Sequence, residues 1–459
     1  MNKTVRPIAR PLGRRRFLAT TARAAGATLV GPWIIPSLAR GAGGRSAPSN
    51  RITIGLIGTG RQGLLINLPS LLYEDDVQVV AVCDVDQWRM DEAKAKTDAF
   101  YAEATTAGTY KGCAAYRDFR GLLARDDIDA VMISTPDHWH VPMAMAAARA
   151  GKDILCEKPL ARNIAEGRRL ADLVAKRKRV FRIDSEFRSS SRHHQAAQLV
   201  RNGRLGRLTR IVTVIPTEVM MGPQPEMPVP PELDYDLWLG PAPFAPYTEQ
   251  RVHPRKNARG RPGWICIRDY ADGLLATWGA HLNDIAMWAN NTERTGPVEI
   301  EGTGKFPPSE NLWNTLREFS VDLTFANGVL LTCRSGGDPS LRFEGTDGWI
   351  ELPTGPGQVT ASLESLPKWK PGPNDLSLPF KRTEKRDFLD AVKTRGQTLC
   401  DAECGHRVSS LVHLGLAAIQ LGRKLRWDPV KESVVGDDAA ARRLLEPATA
   451  RSPWRELAL

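Results

Sequence analysis

The chain has 459 residues, of which 42% are hydrophobic and 25% charged, a composition typical of a globular protein with two or three domains. Its formal net charge is +11, but nine of the positive charges lie in residues 1–50, which contain no Asp or Glu, so the remainder carries 11 − 9 = +2. A nearly neutral body has no long-range field that attracts polyanions, which excludes nucleic acid as a partner.

The first 45 residues are predicted to be a leader. The segment from Arg14 to Leu18, Arg-Arg-Arg-Phe-Leu, resembles the twin-arginine export signal, and a mildly apolar run follows it. Gly26, Pro32 and Pro36 interrupt this run, which is too short to span a bilayer. We expect export to the periplasm by the twin-arginine route, without stable membrane insertion. A basic tail with no targeting role is the alternative.

A glycine pattern follows the first predicted strand. Residues 52–57 read as a buried strand and 61–72 as a helix, with Gly58, Gly60 and Gly63 at the turn between them. In this context the first glycine allows the tight turn, the second lets the backbone approach a pyrophosphate, and the third lets the helix pack close to the strand. The pattern predicts dinucleotide binding. A similar turn in another doubly wound domain is the alternative.

The second predicted strand ends in a carboxylate. Residues 77–83 form an apolar run followed by Asp84, 21 positions after Gly63, which is close to the spacing of a ribose-binding acid. A carboxylate beside the ribose 2′-oxygen would repel a phosphate there, so NAD is expected rather than NADP. Arg61 can counteract this preference, because its charge would attract the phosphate.

Apolar strands and helical patterns alternate from residue 51 to 185, which predicts a doubly wound Rossmann domain with a parallel sheet. Strands are expected at 52–57, 77–83, 129–134, 153–156 and 180–184, and helices at 61–72, 86–104, 117–125, 139–150 and 164–177. Right-handed crossovers place the ligand crevice at the carboxyl ends of these strands. Asp84 and the segments 58–63, 134–140 and 157–159 are therefore expected to converge there.

The sequence changes in character after residue 186. Strand-like runs separated by turns occur at 210–215, 319–325, 329–333 and 349–352. The pair Asn327-Gly328 between two of them is a hairpin signal. Residues 186–380 are therefore predicted to form an α/β domain with a mainly antiparallel open sheet, over which the proline-rich stretch 216–265 forms a rim. Helical patterns after residue 384 indicate that residues 381–459 pack back on the core.

Several of these residues together resemble the Gfo/Idh/MocA family, the glucose–fructose oxidoreductase and inositol dehydrogenase group. The shared elements are Gly58-x-Gly60-x-x-Gly63, Asp84, Thr135-Pro136 with His140, Glu157-Lys158-Pro159, and Trp278-Gly-Ala-His281-Leu-Asn-Asp284. The resemblance covers residues 51 to 430. It implies a Rossmann domain plus an α/β domain, reversible hydride transfer between a nicotinamide and a sugar or polyol hydroxyl, and a homo-oligomer, dimeric or tetrameric.

Lys158 and His281 are the predicted catalytic residues. Oxidising a secondary alcohol needs a group that takes the hydroxyl proton and a donor that holds the developing oxyanion. The ammonium of Lys158 suits the second task, and the imidazole of His281 suits the first. A surface lysine and a satisfied core histidine are the alternatives.

One position departs from the family pattern. Members similar to inositol dehydrogenase carry an acid four residues before the histidine, and this chain has Thr277 there. A hydroxyl can hydrogen-bond but is not a base at neutral pH. Asp284 lies on the same helix face as His281, so it can orient the imidazole or bind a substrate hydroxyl.

The remaining predicted contacts fall into two groups. The cofactor-binding residues are Gly58, Thr59, Gly60, Arg61, Gln62, Gly63, Asp84, Ser134, Thr135, Pro136, His140, Glu157 and Lys158. The substrate residues are Trp264, Tyr270, Asp284 and Arg188, with packing as the alternative. No metal site is expected, because Cys400, Cys404 and His406 lack a fourth ligand and a recognised zinc spacing.

Three functions remain open at this point. The first is a nicotinamide-dependent oxidoreductase acting on a sugar or polyol hydroxyl. The second is a glycoside-cleaving enzyme that uses bound NAD⁺ to oxidise a ring hydroxyl transiently, a variation known within the family. The third is a non-catalytic sugar-binding relative, which only Thr277 favours.

Overall fold

The first half of the described chain builds a parallel sheet of six strands. The computed structural model describes residues 50–436, 438–447 and 449–454, so the leader and its twin-arginine pattern lie outside the described residues. The strands are β1 (Ile52–Ile57), β2 (Val77–Cys83), β3 (Ala114–Tyr116), β4 (Ala130–Ile133), β5 (Asp153–Cys156) and β6 (Phe181–Ile183). Their order is β3-β2-β1-β4-β5-β6, which reverses direction between β1 and β4. Ligands bind outside the carboxyl ends of the strands at such a reversal.

Helices cover both faces of this sheet, which explains why β1 and β2 read as continuous apolar runs. A π-helical turn, Gly63–Asn67, leads into α1 (Leu68–Leu72). The others are α2 (Gln87–Phe100), α3 (Ala102–Thr106), α4 (Phe119–Leu123), α5 (His140–Arg149) and α6 (Ile164–Arg177). The predicted strands and helices of this domain agree with these bounds within a few residues. The prediction missed β3, whose three residues are half-buried or exposed and form no apolar run.

The second sheet has nine strands and is mainly antiparallel, as predicted. Its strands are β7 (Leu208–Ile215), β8 (Pro297–Lys305), β9 (Glu318–Phe325), β10 (Leu330–Ser335), β11 (Ser340–Gly345), β12 (Trp349–Pro353), β13 (Thr360–Ala361), β14 (Leu425–Asp428) and β15 (Ser433–Val434). Only β7 and β10 pair in parallel among these described strands. The Asn327-Gly328 turn joins β9 to β10, and Gly328 has the positive φ of +83° that this turn requires.

Three helices pack between the sheets or against them. They are α7 (Ser191–Arg201), α9 (Gly273–Ala289) and α11 (Ala402–Leu421), and the other helices of this part of the chain are α8 (Tyr235–Leu239), α10 (Glu384–Thr394) and α12 (Ala439–Leu445). The C-terminal segment does pack back on the first domain, since Phe388, Leu389 and Cys404 belong to its apolar core. It is not purely helical, however, because β14 pairs with β8 and extends the second sheet. None of the described helices is both long and apolar enough to cross a bilayer.

The proline-rich stretch after β7 forms a cap with its own small core. Buried aromatic and aliphatic side chains build that core, namely Leu233, Tyr235, Trp238, Leu239, Tyr247, Val252, Ile267 and Tyr270. Two backbone hydrogen bonds attach the cap beyond the end of β2, from Gln87 N to Glu232 O (2.9 Å) and from Asp234 N to Val85 O (3.0 Å). The cap therefore stands at the carboxyl edge of the parallel sheet, as a rim over a site would.

Candidate active site

A large cleft opens at the carboxyl ends of β1, β2, β4 and β5. Its volume is about 320 Å³, and both sheet domains and the cap contribute to its walls. The predicted residues that line it are Gly58, Gly60, Arg61, Gln62, Asp84, Ser134, Thr135, Pro136, His140, Glu157, Lys158, Trp264, Thr277 and His281. The topology thus brings together side chains that are up to 224 positions apart in the sequence, from Ile57 to His281.

The glycine loop has the shape that a dinucleotide requires. A Cβ on Gly58 would lie 2.6 Å from the carbonyl of Ser134, and a Cβ on Gly63 would lie 2.1 Å from the oxygen of Gly58. Gly60 differs, because no heavy atom lies within 4 Å of the place where its Cβ would be. Open space beside the N-terminus of a helix is where a pyrophosphate can accept backbone N–H groups. These residues therefore fit NAD.

Asp84 is fixed at the end of β2 by the glycine loop itself. Its Oδ2 accepts hydrogen bonds from the backbone N–H of Thr59 (2.6 Å) and from its hydroxyl (3.0 Å). Its Oδ1 accepts the N–H of Asp86 at 2.9 Å. A carboxylate held in this way can accept hydrogen bonds from the ribose hydroxyls. Arg61 and Arg117 line the same cleft.

Buried polar side chains join the loops that surround the nicotinamide end of the cleft. His140 contacts the carbonyl oxygens of Pro159 (Nδ1, 2.7 Å) and Thr135 (Nε2, 2.9 Å), and burial lowers its pKa to about 4. Asn67 donates to Ser134 Oγ and to Glu157 Oε1, both at 2.8 Å. These hydrogen bonds hold the loops that follow β4 and β5 in fixed positions. Sequence reasoning found His140 and missed Asn67, which belongs to no motif.

Lys158 and His281 line the same cleft from opposite domains. Lys158 is half-buried, and its Nζ donates a hydrogen bond to the backbone oxygen of Thr277 at 3.4 Å. His281 is 8% exposed and stacks on Phe187 with ring centroids 4.9 Å apart. The structure therefore brings together the two side chains that the sequence singled out for catalysis.

The electrostatic surroundings keep His281 neutral. Burial, together with the positive charge of Lys158, holds the pKa of His281 well below its usual value of 6.5. Its Nδ1 is buried without a hydrogen-bond partner among the described residues, so Nε2 is the nitrogen left to face the cleft. Thr277 lies one turn before His281 on α9 and has no carboxylate that could bond to either imidazole nitrogen.

The structure corrects the placement of three predicted substrate residues. Arg188 and Asp284 are 2% and 1% exposed and form a bidentate ion pair, with Arg188 Nη2 to Asp284 Oδ1 at 2.6 Å and Nε to Oδ2 at 2.9 Å. Tyr270 is fully buried inside the cap, against Trp238 and His138. All three lie outside the wall of this cleft, although Asp284 lines a small second cavity together with Lys158. Trp264, the fourth, does line the cleft.

Two carboxylates in the cleft wall were not named as site residues by the sequence analysis, although the segment 134–140, which contains Asp137, was expected at this edge. Asp137 precedes α5, which begins at His140 without a side-chain cap. Burial raises the pKa of Asp137 to about 8, and its Oδ2 has no hydrogen-bond partner among the described residues. Glu186, which follows β6, also lines the cleft. Their positions at strand ends are the only signal that could have found them.

The cysteine-rich segment shows no metal-binding arrangement within the described residues. Cys400 and Cys404 are buried free thiols, and Nε2 of His406 lies 2.9 Å from Glu432 Oε1. No described group of three or more His, Cys, Asp or Glu residues is placed to hold a metal ion.

Comparison with protein families agrees with this geometry. A family model described as the NAD-binding Rossmann fold of the oxidoreductase family matches residues 52–185. A second, the C-terminal alpha/beta domain of the same family, matches residues 220–456. The chain belongs to the Gfo/Idh/MocA oxidoreductase family. Its first domain is therefore an NAD-binding Rossmann domain, and NAD is its cofactor.

Relatives of this family member share parts of the chain. It is 31% identical over 240 residues to an uncharacterized oxidoreductase of Synechocystis sp., which covers 52% of each chain. It is 37% identical over 129 residues to a glycosyl hydrolase family 109 protein of Saccharopolyspora erythraea, or 28% of this chain and 27% of that protein. The chain spans about half the length, or less, of the curated relatives it matches.

Solved structures of low identity share the fold. GenD2 from gentamicin A biosynthesis, in complex with NAD, superposes with a TM-score of 0.59 at 18% identity, over 84% of this chain and 98% of GenD2. The aldose-aldose oxidoreductase from Caulobacter crescentus, complexed with glycerol, superposes with a TM-score of 0.58 at 19% identity, over 82% of this chain and 99% of the other. The scyllo-inositol dehydrogenase from Lactobacillus casei, with bound NAD(H) and scyllo-inositol, superposes with a TM-score of 0.56 at 16% identity, over 82% of this chain and 99% of the other.

Proposed function

We propose that this protein is an NAD-dependent oxidoreductase that transfers hydride between a nicotinamide and a secondary hydroxyl of a sugar or polyol. The observation that carries the proposal is the common cleft, whose wall contains Lys158 and His281 together with Asp84 and the glycine loop. The sugar and inositol oxidoreductases that share the fold support the choice of substrate class.

Lys158 holds the reacting oxygen in this mechanism. NAD, when bound, supplies the hydride acceptor. An ammonium group has three donors, and the bond to the Thr277 carbonyl uses one, so two remain for the substrate oxygen. As that oxygen loses its proton and gains negative charge, Lys158 stabilises it more strongly than it stabilised the hydroxyl, which lowers the barrier.

His281 takes the hydroxyl proton on Nε2. Its depressed pKa keeps the imidazole unprotonated at neutral pH, and a proton on the buried Nδ1 leaves the Nε2 lone pair free. Stacking on Phe187 fixes the ring plane without a carboxylate. In the reverse direction the same nitrogen returns the proton to the carbonyl oxygen as hydride arrives, so protons and electrons balance.

A glycoside-cleaving enzyme is the second candidate. The glycosyl hydrolase family 109 relatives favour it, although they match only about a third or less of their own length. Transient oxidation of a ring hydroxyl would use Lys158 and His281 in the roles described above. A non-catalytic sugar-binding protein is the third candidate, and the absence of an acid at Thr277 favours it.

We further propose that the protein is exported and keeps its cofactor. The twin-arginine route carries proteins that fold in the cytoplasm, where NAD can load before export. Outside the inner membrane, retention over many turnovers requires a dissociation constant well below micromolar, about −8 kcal/mol or better. The cap contributes His253 and Trp238 to the wall of the cleft, which supports slow release of the nucleotide. A homo-oligomer also remains part of this proposal.

The experiment that separates the candidates uses protein purified with its native nucleotide. It is incubated with neutral sugars, polyols and glycosides, without added cofactor, while reduced nicotinamide and free sugar are both measured. Reduction of the bound nucleotide without release of an aglycone supports the oxidoreductase. Release of free sugar with no net reduction supports the glycoside-cleaving enzyme, and sugar binding with neither change supports the non-catalytic protein.

A further inference from the structure

Glu186 presents an unpaired carboxylate to the cleft. It follows β6 as the first residue of a short 3₁₀ turn, Glu186–Ser189, and its side chain is exposed along the cleft wall. Two neighbouring acids are engaged: Asp184 pairs with Lys385 at 2.7 Å, and Glu157 accepts from Asn67 at 2.8 Å. Among the described residues, only burial and charge act on the Glu186 carboxylate, with no hydrogen bond.

The two residues after Glu186 hold it in place against the helix that carries His281. Phe187 stacks on the imidazole of His281 at 4.9 Å, and its ring also stacks on His193 at 4.3 Å. Arg188 forms the buried ion pair with Asp284, one turn further along α9. These contacts fix the backbone at residue 186, so the position of its side chain in the cleft is set by the structure around the proton acceptor.

Glu186 and Lys158 line the same cleft. Desolvation in the cleft wall raises the pKa of Glu186, the positive charges of Lys158 and Lys385 oppose that shift, and the negative charges of Asp184 and Glu384 add to it. Lys158 in turn contacts the backbone of Thr277, the position at which the chain lacks an acid. The cleft that Lys158 lines therefore has an accessible carboxylate in its wall, supplied by the segment after β6 instead of by α9.

We propose that Glu186 binds a substrate hydroxyl beside Lys158, supplying the carboxylate that is missing at Thr277, and that it restricts the site to uncharged hydroxyl-bearing sugars and polyols. The proposal rests on the proposed oxidoreductase or glycoside-cleaving function. A carboxylate accepts hydrogen bonds from one or two neighbouring hydroxyls, while the ammonium donates to the reacting oxygen. A second carboxylate that an acidic sugar brought beside Glu186 would be repelled by the charge of Glu186.

Asp137 does not perform this discrimination. It also lines the cleft, but it is only 4% exposed. Burial raises the pKa of Asp137 to about 8, which favours its uncharged form at neutral pH. Glu186 is the accessible acid, so the two substitutions Glu186→Gln and Asp137→Asn separate the two carboxylates.

The test uses the nucleotide-loaded protein, matched pairs of neutral and acidic sugars, and the variants Glu186→Gln and Glu186→Asp. The pairs are D-glucose with D-glucuronate and D-galactose with D-galacturonate, and scyllo-inositol is added as a neutral polyol. Binding is measured by calorimetry and turnover by reduced nicotinamide or released sugar. Nucleotide content and melting temperature show that each variant has folded.

Wild-type protein is expected to bind the neutral member of at least one pair, or the inositol, and to discriminate against the acid. Glu186→Gln should weaken neutral-sugar binding by about 10-fold or more, which is the scale for a hydrogen bond to a charged group. The same substitution should reduce the ratio of neutral-sugar to acidic-sugar affinity. Glu186→Asp should restore discrimination in part. Asp137→Asn should leave the neutral-to-acidic ratio unchanged.

Three outcomes would overturn the inference. If Glu186→Gln leaves affinity and discrimination at wild-type values while neutral sugars still react, the inference is wrong and the proposed function stands. If the wild type prefers the acidic sugars, the substrate class is wrong although the enzyme class stands. If folded, NAD-loaded wild type neither binds nor converts any member of the panel, the inference and the proposed function fail together.

Discussion

The Nζ of Lys158 donates a hydrogen bond to the backbone oxygen of Thr277 at 3.4 Å, and this contact crosses from the parallel sheet to the helix that carries His281. The lysine comes directly after β5, and the histidine lies one turn beyond Thr277 on α9. Because the bond is to a main-chain atom, the threonine side chain is not needed for it. The position that lacks the expected acid therefore still anchors the lysine.

Replacing Lys158 with Ala should abolish most of the turnover while leaving the nucleotide in place. Losing an oxyanion donor costs on the order of 10²–10³ in rate, about 3–4 kcal/mol. The glycine loop and Asp84 hold the dinucleotide, so its content after gel filtration should match wild type. Lys176→Ala, an exposed lysine on α6, is the matched control. A Lys158→Ala enzyme with more than a tenth of wild-type turnover would contradict the assignment.

The pH dependence of oxidation should show no inflection near pH 6.5. Only neutral His281 accepts a proton, and its pKa is held well below 6.5, so the base is available at every pH above that lowered value. The rate should therefore stay level as pH falls through 6.5 and decline only in more acidic solution. The measurement is kcat against pH for wild type and His281→Asn.

Two results would count against this reading of His281. A wild-type rate that halves near pH 6.5, and does so only when His281 is present, would mean that the imidazole titrates normally. A His281→Asn enzyme with an undiminished rate would mean that another group takes the proton. Asp137 would then be the first residue to test, since it lines the same wall.

Much of the cofactor site could be predicted from sequence because its chemistry is local. Gly58, Gly60 and Gly63 are constrained by one turn, and Asp84 follows the next strand directly. Lys158 was found for the same reason, since the carboxyl ends of parallel strands share one edge. Nothing in these inferences depends on how distant elements pack.

The substrate side was less predictable because tertiary packing decides it. Nearly all of α9 is buried, from Leu274 to Ala289, so its hydrophobic pattern does not tell which face meets the cleft. Asp284 shares a side of the helix with His281, yet it turns to Arg188 from another segment. Glu186 went unnoticed because no spacing marks it; its role follows from the way Phe187 and Arg188 pack on α9.

The Arg188–Asp284 pair should support stability instead of binding substrate directly. Both side chains are almost fully buried, so Asp284→Asn leaves an uncompensated guanidinium at a cost of about 3–5 kcal/mol. The double variant Arg188→Met with Asp284→Leu removes both charges and should recover much of that loss. Thermal unfolding monitored by circular dichroism measures the stability lost in the single variant and the part recovered in the double variant. An Asp284→Asn protein with wild-type melting temperature and a raised KM would instead place Asp284 in contact with substrate.

Replacing Asp84 with Ser should weaken NAD and improve the relative affinity for NADP. The substitution removes the acceptor for the ribose hydroxyls and the charge that repels a 2′-phosphate, while Arg61 and Arg117 remain to attract one. It also removes the acceptor for the N–H of Thr59, so the glycine loop should loosen. Calorimetry on nucleotide-free protein gives both dissociation constants, with the exposed Asp75→Ser as control. A wild type that already prefers NADP would contradict the ribose role of Asp84.

The most direct test of hydride transfer at this cleft is a single-turnover measurement on the retained nucleotide. The mature protein is gel-filtered, its bound nucleotide is released from one portion by denaturation and quantified, and the rest is mixed with neutral sugars and polyols while the absorbance of reduced nicotinamide is followed. Our account predicts near-stoichiometric NAD in the folded protein. It also predicts that a neutral sugar will reduce that NAD in the wild type and will fail to do so in Lys158→Ala. Folded protein that carries or binds NAD, yet transfers no hydride to or from any sugar or polyol, would contradict the account.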